Sequence, residues 1–297
     1  MTSKQGRSLR YHLNTLLFLG PWLLCFGVFS AYPIAYSIYL SFTKYSATGN
    51  RPPEWVGLDN FLKLFQDDRF FQSLQNSFYF TAVSVSVTMV LAIITAILLN
   101  RSIRMRVFYR VAVFIPVVTS LFVIATLFSE LYSPRGMIND LLEFFGNDRI
   151  HWLRNTDWAM PAIILMSIWA SFGFYSMVIL AGLQSIPAEF YELSELEGVS
   201  KLKSFFSITL PLLKPTILFA LVLNTILAFQ VFGEIYIMTK GGPLGATETA
   251  VYYIYNLGFS KRDMGYASAT AYGLSAILAV FSILQIKMIK YRNLYKV

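Results

Sequence analysis

Apolar residues fall in long runs separated by short polar segments, and the length of the runs decides how they read. A helix needs about 20 mostly apolar residues to cross about 30 Å of hydrocarbon, since each residue rises about 1.5 Å. Six segments reach that length: 14–40, 76–99, 107–131, 159–183, 214–238 and 266–289. The pattern predicts an all-α integral membrane protein with about six transmembrane helices, in one transmembrane domain over residues 1–297. The first run follows Lys4, Arg7 and Arg10, as a secretory signal would. It continues from Leu13 towards Leu40, well past the about 7–15 residues of a signal's apolar region, so it is expected to remain as a membrane anchor.

Composition supports the same reading. Charged residues make up 13% of the chain and hydrophobic ones 56%, against about 25% charged in soluble domains, a deficit too large for a water-facing surface. The net charge of +8 fits membrane topology better than nucleic-acid binding, because the basic residues sit at the ends of apolar runs. With both termini placed in the cytoplasm, the inner segments carry +10 and the outer ones −2. Lysine and arginine collect on the cytoplasmic side. The acid-free cluster Arg101, Arg104, Arg106 and Arg110 gives the strongest orientation signal. A lone cysteine, Cys25, excludes an intrachain disulfide, and His12 and His151 lie far apart, so no metal site is expected.

One inner segment exceeds what orientation needs. Residues 184–213 are acidic in the first half and basic in the second. Ser185 is a candidate N-cap, Pro187 suits a first helical turn, and Glu189 and Glu192 favour the positive end of a helix dipole. Gly198 can adopt the left-handed conformation that closes a helix, and Ser200 can cap the next. The product is a helix–turn–helix whose Phe190, Leu193 and Leu196 share one face. That face fits the ends of the protein's own spans, the headgroup layer or a second protein, and its flanking acids weigh against an anionic lipid surface.

The same stretch resembles the cytoplasmic loop of binding-protein-dependent ABC transporter permeases. That loop runs Glu-Ala-Ala, three residues, Gly, nine residues, Ile, one residue, Leu-Pro. This chain supplies Glu192-Leu193-Ser194, then Gly198, Ile208, Leu210 and Pro211 at every spacing, with Leu193 and Ser194 in place of the alanines. Two further stretches look like the carbohydrate-import branch, the maltose and glycerol-phosphate type. One is Gly57-Leu58-Asp59-Asn60-Phe61; the other is Thr239-Lys240-Gly241-Gly242-Pro243 with Thr247, Tyr255 and Gly265-Tyr266-Ala267-Ser268-Ala269.

The resemblance implies a permease subunit importing a sugar-like solute across a bacterial or archaeal inner membrane. It implies a second homologous permease, an extracytoplasmic solute-binding protein, and two ATPase subunits that bind ATP and magnesium. Glu189, Glu192, Leu193, Ser194, Leu196, Glu197, Gly198 and Val199 would then couple this chain to an ATPase. The chain has no phosphate-cradling Gly-rich motif, so it needs no cofactor of its own and is not expected to be an enzyme.

Polar residues inside spans face the bundle interior, where they join helices or line a path. Ser167, Ser171 and Tyr175 recur every four residues, with Trp169 nearby, while Asn224, Gln230 and Glu234 mark the fifth span. Hydroxyls, amides and aromatic rings suit a sugar, which needs hydrogen bonds at its rim and an apolar plate against its face. Each residue alone also fits plain helix packing. An ion-coupled secondary transporter is the alternative, but the acidic residues inside the spans are limited to Glu130 and Glu234, both towards the outer side.

Overall fold

Hydrocarbon offers a backbone no partner but itself, so a spanning segment must be helical or part of a closed barrel. A computed structural model describes residues 17–48, 52–102 and 104–290. The N-terminal basic cluster, His12, and Arg292 and Lys296 of the C-terminal tail lie outside the described residues. Among the described residues five helices are long and apolar enough to cross a membrane. These are α1 (Leu17–Ser41), α3 (Asp68–Asn100), α7 (Ala159–Gln184), a long segment from Lys201 to Met238, and α13, which begins at Met264. A short helix α2 (Asp59–Leu64) precedes α3.

The expected span 107–131 is corrected to two helices, α4 (Arg106–Val118) and α5 (Leu121–Leu131), which meet at 94°. Pro116 removes one backbone donor and crowds the carbonyl one turn back. Thr119 and Ser120 then turn extended, with ψ of 139° and 131°, and end the first helix. The expected span 214–238 is also broken. Its helix α10 (Leu210–Phe229) stops at Phe229, and α11 (Gly233–Met238) starts after three non-helical residues.

The chain divides into two compact units. In the first, comprising residues up to Gln66 with Ile254–Leu274, a two-residue hairpin pairs β1 (Thr43–Lys44) with β2 (Glu54–Trp55). Asn60 donates from Nδ2 to the carbonyls of Ser41 (3.0 Å) and Thr43 (2.9 Å). Gly265, in α13 (Met264–Lys290), packs so closely that a Cβ there would overlap the Thr43 carbonyl oxygen. The Gly57–Phe61 and Gly265–Ala269 stretches singled out in the sequence thus meet on one backbone turn. Lys63 sits 3.9 Å from the centre of the Tyr266 ring and 3.9 Å from Asp263.

The second unit, Asp67–Tyr253 with the residues from Ser275 onward, is built on α3 packed along α7, with α10 against both. The buried residues of α3 recur at three- and four-residue steps: Ser73, Ser77, Phe80, Ser84, Thr88, Ala92, Ala96 and Leu99. Small residues on such a stripe let helix backbones approach in a medium that offers no hydrophobic drive. Two apolar clusters result. Met89, Ala92 and Ala96 pack with Ile179, Leu183 and Leu213, and further along Phe80 packs with Ile163, Ile164 and Ile235.

The segment from Thr239 to Ala250 is tied to the start of α3. Arg69 grips the Glu248 carboxylate with Nε at 2.6 Å and Nη2 at 3.0 Å, Asn76 donates to the carbonyls of Gly245 and Glu248, and Ser77 accepts from the Ala250 amide. Thr239 and Thr247 join their hydroxyls at 2.7 Å, which accounts for the threonines around the Gly-Gly-Pro turn. Tyr253, in α12 (Ala250–Tyr255), donates to Asp67 at 2.6 Å, and burial, then that hydrogen bond, push its phenol pKa up.

α4 comes close against α7 at Gly173, where a Cβ would collide with the Val113 carbonyl oxygen. Gly173→Ala should therefore cost about 1–3 kcal/mol as an overpacked contact and lower the melting temperature in detergent. Gly20→Ala, with open space around it, should leave melting unchanged; equal behaviour of the two variants would refute the close approach.

Candidate functional site

Two places combine the residues singled out in the sequence, and α7 runs from one to the other. The first is the turn that follows α7. Ser185 is not the N-cap expected of it: α7 reaches Gln184, Ser185 closes that helix, and its Oγ donates to the Gly182 carbonyl at 2.8 Å. Ala188 takes the N-cap position of α8 (Glu189–Leu196) without a side-chain bond. At the other end the Gly198 amide donates to the Glu195 carbonyl and the Val199 amide to that of Ser194, both at 3.0 Å, with Gly198 at φ +70°. This paired closure requires the left-handed residue that glycine supplies without strain. Ser200 then accepts from the Lys203 amide and caps α9 (Lys201–Ser204), which continues through a wide turn at Phe205–Thr209 into α10.

The faces of α8 divide sharply. Ser194 is 5% exposed and faces inward, whereas Phe190, Leu193 and Leu196 are 45%, 60% and 85% exposed. Glu189, Glu192 and Glu197 are also exposed. The Tyr191 hydroxyl lies 3.1 Å from that of Thr209 and ties α8 to the start of α10. Val199, half-buried, lines a groove of about 700 Å³ under the turn, together with Ile97, Leu183, Ser194 and Phe205.

The second place is a cavity of about 140 Å³ among α3, α7, α10 and α11. Ser167, Ser171, Tyr175, Asn224 and Glu234 all line it. Trp169 does not; it is 43% exposed and rests against Phe128 at 5.4 Å between ring centres. Gln230 does not either. The helix ends at Phe229, and Gln230 is exposed at the break that separates it from Glu234.

Sequence reading missed Ser84 and Thr88, which line the cavity from α3. The signal was available: Ser77, Thr81, Ser84 and Thr88 recur at steps of four and three in an otherwise apolar run. Within the cavity the Ser171 hydroxyl donates back to the Ser167 carbonyl at 2.8 Å. Asn224 Nδ2 and Ser84 Oγ are buried with no protein partner. A buried unpaired polar group costs about 1–3 kcal/mol, which leaves these two atoms with hydrogen-bonding capacity directed into the cavity. Among the described residues no cluster of histidine, cysteine or carboxylates could hold a metal.

Residues 88–288 match the family described as binding-protein-dependent transport system inner membrane component. The chain belongs to that family. This permease works with a solute-binding protein. It is 35% identical over 290 residues to the lactose transport system permease protein LacF of Rhizobium radiobacter, covering 96% of each chain. It is 34% identical over 282 residues to the sulfoquinovosyl glycerol transport system permease protein SmoG of Agrobacterium fabrum, covering 95% of this chain and 92% of that one. Among solved structures, a bacterial ABC transporter involved in importing the acidic polysaccharide alginate has a chain that superposes with a TM-score of 0.85. That chain is 25% identical, with 98% of this chain and all of the other covered. The permease thus has the importer fold that the resemblance implied, built from the helices that its apolar pattern predicted.

Because Asn224 Nδ2 has no partner to lose, Asn224→Leu should hold or raise the melting temperature of the permease while lowering solute uptake at least about tenfold, the loss of one good hydrogen bond to a guest. A variant that is destabilised yet transports normally would mark Asn224 as a packing residue.

Proposed function

We propose that this permease admits a sugar or polyol released by its solute-binding protein, and that separate ATP-binding-cassette subunits drive it from the cytoplasm. The observation that carries the reading is α8, a helix that turns Phe190, Leu193 and Leu196 outward, flanks them with carboxylates and ends in a glycine-locked turn. Exposed apolar side chains ringed by charge suit a protein cleft. Glu189, Glu192, Leu193, Leu196 and Glu197 form the contact, and Gly198, Val199 and the inward Ser194 hold its shape.

The whole chain serves as one transmembrane domain with both termini cytoplasmic in a bacterial or archaeal membrane. A second homologous permease completes the pore, since a single bundle of this size encloses too narrow a path for a hydrated sugar. The cavity supports a hydroxylated solute, since Ser84, Thr88, Ser167, Ser171, Tyr175 and Asn224 offer hydroxyl and amide groups and Phe80 and Leu227 offer apolar surface. Relatives named for lactose and for trehalose/maltose transport support a sugar.

Gly198→Val tests the coupling. A β-branched residue in the left-handed region is strained by about 1–2 kcal/mol, and with nothing packed against Gly198 the strain falls on the turn rather than the bundle. Uptake in membranes holding the whole transporter should fall at least about tenfold, while the amount of inserted permease stays the same and the permease purified alone shows no ATPase activity. Unimpaired uptake by this variant would remove the coupling role from the turn.

A further inference from the structure

Four arginines crowd the step from Arg101 to Arg110, and no acidic residue lies among them. Orientation explains why they are basic, but it does not explain where they go. Arg106 donates from Nε to the carbonyl of Leu99, in the last turn of α3, at 2.9 Å. Gln184, the final residue of α7, lies against both guanidinium groups; with its amide turned so that the oxygen faces them, it accepts from Nη2 of Arg106 and Nη2 of Arg110 at 2.7 Å each. Two cations therefore converge on one neutral oxygen. The ion pairs among the described residues belong to Lys63, Arg69 and Arg149, so neither of these arginines has a carboxylate against it. Arg110 Nε is moreover buried with no partner.

Beside this pair runs an apolar trough of about 450 Å³, lined by Val111, Phe114, Ile115, Val118 and Met177 with Arg110 as its polar member. On α4 these residues span two turns, and Arg110 stands at their N-terminal end. The headgroup end of the trough is thus cationic and the remainder is hydrocarbon-like. A soluble anion would answer the guanidinium pair but leave the trough bare, and an uncharged lipid would fill the trough but leave like charges facing each other. Acidic protein segments match the cations and not the length of the trough.

We propose that α4, with Met177 of α7, binds an anionic phospholipid. Its phosphate takes the free N–H groups of Arg110 and Arg106, and one acyl chain lies along Val111, Phe114, Ile115 and Val118. Guanidinium groups meet phosphate oxygens through parallel, charge-assisted hydrogen bonds. The phosphate removes the repulsion between the two cations, and its site joins the ends of α3 and α7 to the beginning of α4. Because Gln184 immediately precedes the α7–α8 turn, the lipid braces the root of that turn.

Native mass spectrometry of the full chain in detergent, titrated with phosphatidylglycerol or phosphatidylcholine, tests the site. The wild type should retain phosphatidylglycerol at least about tenfold more tightly than phosphatidylcholine. Arg110→Gln should erase that preference, a loss of one charge-assisted contact. Ile115→Trp, which fills the trough but leaves both arginines, should weaken phosphatidylglycerol binding as well, and inorganic phosphate at millimolar concentration should not displace the lipid. Melting temperatures measured without added lipid distinguish a lost site from a lost fold; should Arg110→Gln fail to fold, the wild-type preference and Ile115→Trp still decide. The proposal is overturned if wild type binds both lipids alike, if Arg110→Gln keeps the preference, or if phosphate displaces the lipid and Ile115→Trp binds it as wild type does, which would leave a simple anion site.

Discussion

The packing of α3 along α7 is the contact on which the second unit rests. Each helix satisfies its own backbone, as hydrocarbon demands, but only close approach brings side chains of different helices together. The stripe from Ser73 to Leu99 on α3 is made of small or slender residues over most of its length, and Gly173 and Gly182 on α7 play the same part towards α4 and α10. Where both stripes are apolar, at Ala92, Ala96, Ile179 and Leu183, the helices close on each other. Where Ser84 and Thr88 face Ser167 and Ser171 with Asn224, the same approach leaves a polar cavity. A single seam thus gives both the strength of the bundle and the place a guest could occupy.

From this seam follows the proposed transmission. Ser167, Ser171 and Tyr175 lie on the helix that ends at Gln184, and the next element is the α8 turn. A force on Phe190, Leu193 or Leu196 would pass the short turn at residues 185–188 and then travel along one unbroken helix to Tyr175, Ser171 and Ser167. The Gly198 closure and the Tyr191–Thr209 contact make the turn a shaped body, so a push on it would move α7 and α10 together.

Long-range pattern was legible in the sequence because the membrane enforces it residue by residue. Helix ends at Asn100, Gln184 and Lys290 fall within a few residues of the apolar boundaries. The left-handed closure at Gly198 and the cap at Ser200 were legible too, since both are local chemistry. What escaped was geometry set by neighbours. Pro116 marked a weakness in the third run, but the 94° bend depends on Thr119 and Ser120 turning extended. Gln230 looked continuous with Glu234 because apolar composition does not register the break after Phe229. Ser194 sits within an exposed acidic helix by sequence, and its burial depends on the turn placing it in the groove shared with Ile97 of α3 and Leu183 of α7. Arg106 and Arg110 carried an orientation signal so strong that their common grip on Gln184 left no separate mark.

The central claim is that α8 presents its apolar edge to the ATP-hydrolysing subunit, and photo-crosslinking from single cysteines in native membranes measures it directly. In a Cys25→Ser background, a benzophenone on Leu193→Cys or Leu196→Cys should capture that subunit, and one on the inward-facing Ser194→Cys should not. Adducts to lipid alone from Leu193 and Leu196, or labelling of these positions by an impermeant reagent from outside the cell, would contradict the account.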